Sequence, residues 1–358
     1  MNISPKTKET ADACRFCWMC RHVCPVGNAT GQERNTARAR ALGVSLVLRG
    51  AEPIDAVIDN LYECTLCGAC SNNCVTGWDP KRFVQEIKTQ ALLDGCIPPY
   101  VARLLAEAEA TGSVYGKADI SALAPFRGEG DTLFFVGQTA LHRCPQAAAG
   151  ALSLMREAGG RAVFDADNCD SGAALWFLTG ATRETQAAAE ACAGRLGRYK
   201  TVVVYDPVDL QLFRHEYRAW GIGIAAEVTD FRAWLLSAVT GGALAVKKSS
   251  RAYTVQDHYS YARELDDTQT IRSLVGRCGR SREMLLAGKE ADFAGSLLMR
   301  EYMPEATNAM ARRRWAQAQA AGCRTLVTES PDEYVLLRDN APENCRAITT
   351  EEMVAENL

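Results

Sequence analysis

Apolar positions recur at helical spacing through the first third of the chain. Ile54, Val57 and Leu61 follow Pro53, which suits a first helical turn. Phe83, Ile87 and Ala91 repeat the spacing, and Val101, Leu104, Leu105 and Ala108 continue it. This pattern predicts an all-helical segment over 1–112. The stretch Thr111 to Gly130 is rich in Gly, Ser and Ala, contains Pro125 and has no clear period, so it predicts a linker over 113–130.

Beyond the linker the pattern changes to short apolar runs alternating with helical segments. Thr132 to Val136, Ala162 to Phe164 and Thr201 to Tyr205 read as strands, with Ala147 to Ala158 and Leu210 to Trp220 as helices. From Ala252 the order recurs: Tyr253 to Val255 and Thr325 to Thr328 are strand-like, and Met310 to Gln319 is helical before Gly322. Each block ends its last clear strand in an acidic, proline-containing turn, Tyr205-Asp206-Pro207-Val208-Asp209 and Ser330-Pro331-Asp332-Glu333. The alternation predicts mostly parallel sheets, and the recurrence predicts two pseudo-repeated α/β modules, at 131–245 and 246–358. The fold class is therefore α + α/β.

The length of 358 residues fits two or three domains. The 40 Lys and Arg nearly balance 43 Asp and Glu, for a net charge of -3, which argues against nucleic acid as a partner. The weakly polar stretch Trp234 to Val246 has 13 residues and two glycines, short of the ~20 that span a bilayer, so no direct membrane span is expected. The opening run Met1 to Asp12 is polar, unlike a signal peptide, and a cytoplasmic, reducing location is the expectation.

What changes this picture is the cysteine content. Of 15 cysteines, eight fall in two windows: Cys14, Cys17, Cys20 and Cys24-Pro25, then Cys64, Cys67, Cys70 and Cys74. Each window reads C-x2-C-x2-C-x3-C. Two-residue gaps let three thiolates wrap one corner of an iron–sulfur cube while the backbone aims amide hydrogens at its sulfurs. Structural zinc is the alternative, but it leaves the regular third and fourth cysteines of each run without a role. The run is similar to that of bacterial two-cluster ferredoxins, where the fourth cysteine ligates the other cluster. That resemblance implies one 4Fe-4S cluster on Cys14, Cys17, Cys20 and Cys74 and another on Cys64, Cys67, Cys70 and Cys24. His22 reads as a packing or surface residue, and Trp18 as a hydrophobic shield.

With helices separating the windows and the tail Thr111-Gly-Ser-Val-Tyr-Gly116, residues 1–112 resemble the helical ferredoxin domain found in the iron–sulfur subunits of heterodisulfide reductase and anaerobic glycerol-3-phosphate dehydrogenase. Val75 departs from the proline usual after the last cysteine. The remainder resembles the paired Cys-Cys-Gly domains of the same family, which hold noncubane clusters at a catalytic site, but the ligands are mostly gone. Gln138 follows Gly137 where a cysteine is expected, Cys169-Asp170-Ser171-Gly172 keeps one cysteine, and Asp209 stands at the end of the Asp-Pro-x-Cys turn. In the second module the motifs read Gln256-Asp257-His258-Tyr259, Phe293-Ala294-Gly295 and Ser330-Pro331-Asp332-Glu333, while Arg263, Arg272 and Gly295 still fit the framework.

A lone Cys169 among Asp170, Asp206 and Asp209 supplies too few thiolates, so no noncubane cluster is expected. The acids are expected in helix caps and turns, with a hard divalent cation the lesser alternative. Cys96, Cys144, Cys192, Cys278, Cys323 and Cys345 are expected as buried, inert thiols, and Arg312-Arg313-Arg314 as a solvated helix face. No nucleotide-binding signature or catalytic triad is present.

The expectation is thus an electron-transfer subunit of a hetero-oligomeric oxidoreductase. The resemblance implies a flavin-containing dehydrogenase, reductase or electron-transferring flavoprotein as partner. An oxidoreductase with its own active site or flavin in the C-terminal domain is the alternative, and an interaction protein with structural or redox-sensing clusters is a third.

Overall fold

Helices in the N-terminal region start where the sequence supplies caps. Ser4, Thr36 and Asp79 each accept a hydrogen bond from a backbone amide two or three residues on, opening Pro5–Asp12, Ala37–Leu48 and Pro80–Leu93. The computed structural model describes residues 3–358; Met1 and Asn2, at the head of the polar run, lie outside the described residues. Pro80–Leu93 is the central helix, burying Phe83, Val84, Ile87 and Ala91 against Pro5–Asp12, Ala37–Leu48 and Ile58–Tyr62. The spacing after Pro53 yields two pieces, a 3-10 turn Ile54–Ala56 and the helix Ile58–Tyr62, because Val57 adopts φ −122° between them. Pro99–Thr111 completes the bundle and stops at Gly112 with φ +81°.

The stretch read as a linker is packed. Val114, Leu123 and Phe126 are buried, and the Phe126 carbonyl accepts from Phe164 N at 2.9 Å, extending the neighbouring sheet.

Among the described residues eight strands form two four-stranded sheets: β1 (Thr132–Phe135), β2 (Ala162–Val163), β3 (Thr201–Val204) and β4 (Glu227–Asp230), then β5 (Ala252–Gln256), β6 (Arg280–Ser281), β7 (Thr325–Thr328) and β8 (Arg346–Thr349). All pairs are parallel, and the orders β2-β1-β3-β4 and β6-β5-β7-β8 are the same, so the pseudo-repeat holds at the level of topology. The central strands Thr-Leu-Phe-Phe, Thr-Val-Val-Val and Thr-Leu-Val-Thr are continuous apolar runs, as sheets covered on both faces require. Leu210 to Trp220 divides at His215 into Pro207–Arg214 and Glu216–Ala219. One apolar core runs across both modules, from Phe134 and Leu152 to Tyr253, Leu274 and Met353.

Both modules also grip the N-terminal bundle. Ala173–Thr179 packs on Pro80–Leu93, with Tyr62 Oη donating to the Leu178 carbonyl at 2.8 Å and Thr89 Oγ1 to that of Thr179 at 2.8 Å. Gly180 makes this approach possible: a Cβ there would lie 2.1 Å from Thr89 Oγ1, and its φ is +71°. Pro304–Ala320 packs on Pro25–Thr30. Among the described residues no helix is long and apolar enough to cross a membrane.

Two expectations need correction. Arg314 is fully buried, with its guanidinium donating to Gln256 Oε1 and to the Leu286 carbonyl at 2.9 Å, and Arg313 pairs with Asp292 at 2.9 Å. Consecutive helical residues point about 100° apart, so three in a row cannot share one solvated face. Cys144, Cys192, Cys278 and Cys323 are buried, but Cys96 and Cys345 are only half-buried.

Candidate iron–sulfur site

The C-x-x-C loops turn the same way in both windows. Phe16 and Leu66, each immediately before the second cysteine, have φ +52° and +55°, a left-handed conformation that side chains rarely adopt. The turn folds Phe16 N back toward Cys14 Sγ, at 3.4 Å. Further sulfurs meet backbone donors: Gly27 N lies 3.5 Å from Cys24 Sγ, and the Arg38 amide faces Cys20. Such bonds stabilise thiolate charge.

The windows interleave. Cys14, Cys17, Cys20 and Cys74 line one cavity with Met19, Val75 and Trp78. Cys64, Cys67, Cys70 and Cys24 line a second with Arg40, Leu66 and Val84. Each cavity thus takes three cysteines from one window and the fourth from the other. The cavities adjoin, since Cys20 of the first set is near enough to Cys24 and Cys70 of the second for their thiolates to repel.

Burial pushes the Cys20 thiol up to about 11 and the Cys70 thiol well above its ordinary value, the latter with help from Cys64 and Cys67. Burial acts on Cys74 too, but the Thr76 hydroxyl and the amides of Thr76, Gly77 and Trp78 outweigh it and hold that thiol below its usual value. Sulfurs costly to ionise alone become favourable ligands when iron supplies the compensating charge. Among the described residues, no three His, Cys, Asp or Glu side chains are grouped to hold a single metal ion. Thiolates ringing a cavity, with amides aimed at them, suit a multi-iron group.

Several residues around the second cavity are not evident from the cysteine motifs. Arg40 is 3% exposed, and its guanidinium donates to the carbonyls of Asn60 at 2.8 Å and Glu63 at 2.9 Å, with Nη1 4.0 Å from Cys24 Sγ. Its place beside Ala37, Ala41 and Val44 on one helical stripe is a signal the sequence does carry. Lys88 is buried on the stripe of Val84, Ile87 and Ala91, over the rings of Tyr62 and Phe177, and burial lowers its ammonium to about 7. Arg263, from the second module, donates to the carbonyls of Cys67 at 2.8 Å and Lys289 at 2.8 Å.

The remaining singled-out residues lie elsewhere. His22 is exposed, and Trp18 is 51% exposed between the guanidinium groups of Arg21 and Arg38. Trp18 is therefore a surface residue and no shield. Cys169 is 1% exposed and donates to the Asp165 carbonyl at 3.3 Å; burial, then the neighbouring acids, drive its thiol far up. Asp206 caps Pro207–Arg214 by accepting from Val208 N at 2.9 Å, as expected for a turn acid. Yet Asp170, Asp206, Asp209 and Asp332 also share a cleft with Thr65, and no cysteine lines it.

Among solved structures, a hypothetical protein from Helicobacter pylori has a similar fold: TM-score 0.62 at 10% identity, covering 99% of this chain and 73% of that one. No curated protein sequence matches the chain. Residues 10–78, which span all eight window cysteines, match the 4Fe-4S dicluster domain family, and this makes the chain an iron–sulfur protein whose N-terminal domain is of an electron-transfer type.

Proposed function

We propose that the protein is the iron–sulfur electron-transfer subunit of a cytoplasmic multi-subunit oxidoreductase, resembling the iron–sulfur subunits of heterodisulfide reductase and anaerobic glycerol-3-phosphate dehydrogenase. In this reading two 4Fe-4S clusters, one on Cys14, Cys17, Cys20 and Cys74 and one on Cys64, Cys67, Cys70 and Cys24, relay single electrons between a flavoprotein and another redox partner. The observation that carries it is the pair of adjoining cavities, each ringed by three cysteines of one window and one of the other.

When bound, the clusters supply one-electron oxidation and reduction. The chain's own residues do the rest. Phe16 and Leu66 turn the loops, the amides of Gly27, Arg38 and Gly77 face sulfurs, and Arg40 places a buried positive charge beside Cys24. Val26, Leu66 and Val84 keep water from the second cavity. Exposed Phe16, Trp18 and Met19 beside the first cavity, among Arg15, Arg21 and Arg38, suit docking of a partner with an acidic rim. A disulfide-cleaving active site in the C-terminal modules is disfavoured, because the cleft has no thiol and Cys169 is buried apart from any second cysteine ligand.

Anaerobic reconstitution tests this directly. About eight iron atoms per chain and a reducible 4Fe-4S signal in electron paramagnetic resonance are expected. Iron well below that, or no reducible signal, overturns the reading. Capture of a flavoprotein that reduces or oxidises the reconstituted chain tests the partner.

A further inference from the structure

The acids in and beside the eroded cysteine motifs meet where the two modules face the N-terminal bundle. Asp206 and Asp209 come from the turn after β3, Asp332 from the turn after β7, and Asp170 from the segment before Ala173–Thr179. The pseudo-repeat brings its two acidic turns together.

Each carboxyl is anchored through one oxygen. Asp170 Oδ1 accepts from Gly172 N at 2.9 Å, Asp206 Oδ1 from Val208 N at 2.9 Å, Asp209 Oδ1 from Ser171 Oγ at 2.5 Å, and Asp332 Oδ1 from Leu297 N at 2.8 Å. The anchors fix the second oxygens relative to the cleft. Asp209 is 4% exposed, and its Oδ2 is buried without any hydrogen-bond partner; Gln138 Oε1, in the same wall, is likewise buried and unpartnered. A buried acceptor left unpaired costs about 1–3 kcal/mol. Two unpaired acceptors among the residues that line one cleft point to a donor that belongs there.

The lining contains no Lys, Arg or His. Beside the acids stand Tyr115, Phe177, Tyr259 and Phe293, whose ring faces attract cations. The cavity, about 60 Å³, admits only a few heavy atoms. The aromatic rings beside the acids favour an organic cation over a metal ion.

We propose that this cleft is a binding site for a small organic ammonium ion, primary or secondary, whose N–H groups donate to Asp209 Oδ2 and Gln138 Oε1. The inference goes beyond the electron-transfer reading and does not depend on it. Burial raises Asp209 to about 7 and Asp332 to about 6, and raises Asp170 and Asp206 too. The ligand therefore displaces protons on entry. The other titratable groups facing the cleft, Tyr115 and Tyr259, are pushed far up by burial and stay neutral.

Isothermal titration calorimetry of the full iron-loaded chain, with dimethylammonium and ethanolammonium as probes, tests it. Saturable one-to-one binding is expected, tighter at pH 8 than at pH 6, weakened at least tenfold by Asp209→Asn and several-fold by Gln138→Leu. Should Asp209→Asn not fold by circular dichroism, Asp332→Asn carries the same expectation. No saturable binding, binding unchanged in the folded variants, or uptake of magnesium or manganese without uptake of either ammonium overturns the proposal. Iron is counted on the same sample, so an empty cleft in a fully loaded protein overturns this inference alone.

Discussion

The two cysteine cavities share a motif and a backbone turn, and differ in nearly everything around them. Phe16 and Leu66 occupy the same place with φ within a few degrees of each other, yet Phe16 is 40% exposed and Leu66 3%. Around the first cavity Trp18, Met19 and Val75 stand in solvent at 51%, 49% and 84% exposure. Around the second, Cys24 and Cys67 pack with Tyr259, Phe293 and Met299 of the C-terminal modules, and Arg263 ties down the Cys67 carbonyl. The local spacing therefore sets loop shape, while the rest of the chain decides which cavity meets solvent. One cavity is built as a port and the other as an interior.

The sharpest way to break this contrast is to remove one ligand from each side. Cys67→Ser opens a site on which the modules are seated, and it should cost of order 4 kcal/mol in thermal unfolding along with about half of the iron. Cys17→Ser, at an exposed position, should lose a similar share of iron with a small change in melting. Equal destabilisation by the two would refute the port-and-interior distinction.

Next in size is Arg40→Met. It removes the buried cation and strands the Asn60 and Glu63 carbonyls, which predicts a loss of roughly 2–4 kcal/mol. A positive charge near Cys24 favours added electrons, so the variant should lower the reduction potential of the inner centre, by about 60 mV for each ~1.4 kcal/mol of lost interaction, and leave the outer one nearly unmoved. Potentiometric titration followed by electron paramagnetic resonance separates the two.

These residues also mark what sequence discloses. The eight cysteines and the strands β1, β2, β3, β5 and β7 are legible because fixed spacing and continuous apolar runs are local signals. The strands β4, β6 and β8 are not: they are edges of two to four residues, such as Glu227–Asp230 and Arg280–Ser281, too short and polar for any period to register. Arg40 and Lys88 lie on apolar stripes, where a long cation can be read as surface until the packing is known. The acidic cleft is harder still. Asp170 and Asp332 are far apart in the chain and meet through the fold alone, although the paired acidic turns carry half of the signal.

A smaller pair of changes isolates the backbone term. Phe16→Gly relieves a left-handed conformation costing about 1 kcal/mol and gives up little packing, so it should be neutral or stabilising by up to ~1 kcal/mol. Leu66→Gly gains the same relief but loses a buried side chain, and should destabilise by about 2 kcal/mol. Chemical denaturation of both variants checks the opposite signs.

The smallest effect on stability belongs to the rim of the outer cavity, and it is there that an effect on traffic is expected. Arg15→Glu changes an exposed side chain beside Cys14 and Cys17, so unfolding should move by no more than about 0.5 kcal/mol. Reversing that charge opposes the field that would draw in an acidic partner, and the association rate with the proposed flavoprotein partner should fall about tenfold at low salt. Because the Debye length shrinks to about 3 Å at 1 M salt, the difference between variant and parent should close as salt rises. Stopped-flow reduction across an ionic-strength series distinguishes this from damage to the centre itself, which salt would not repair. A rate unaffected by Arg15→Glu but slowed by a charge reversal near Arg263 would place the port at the inner cavity and invert the comparison.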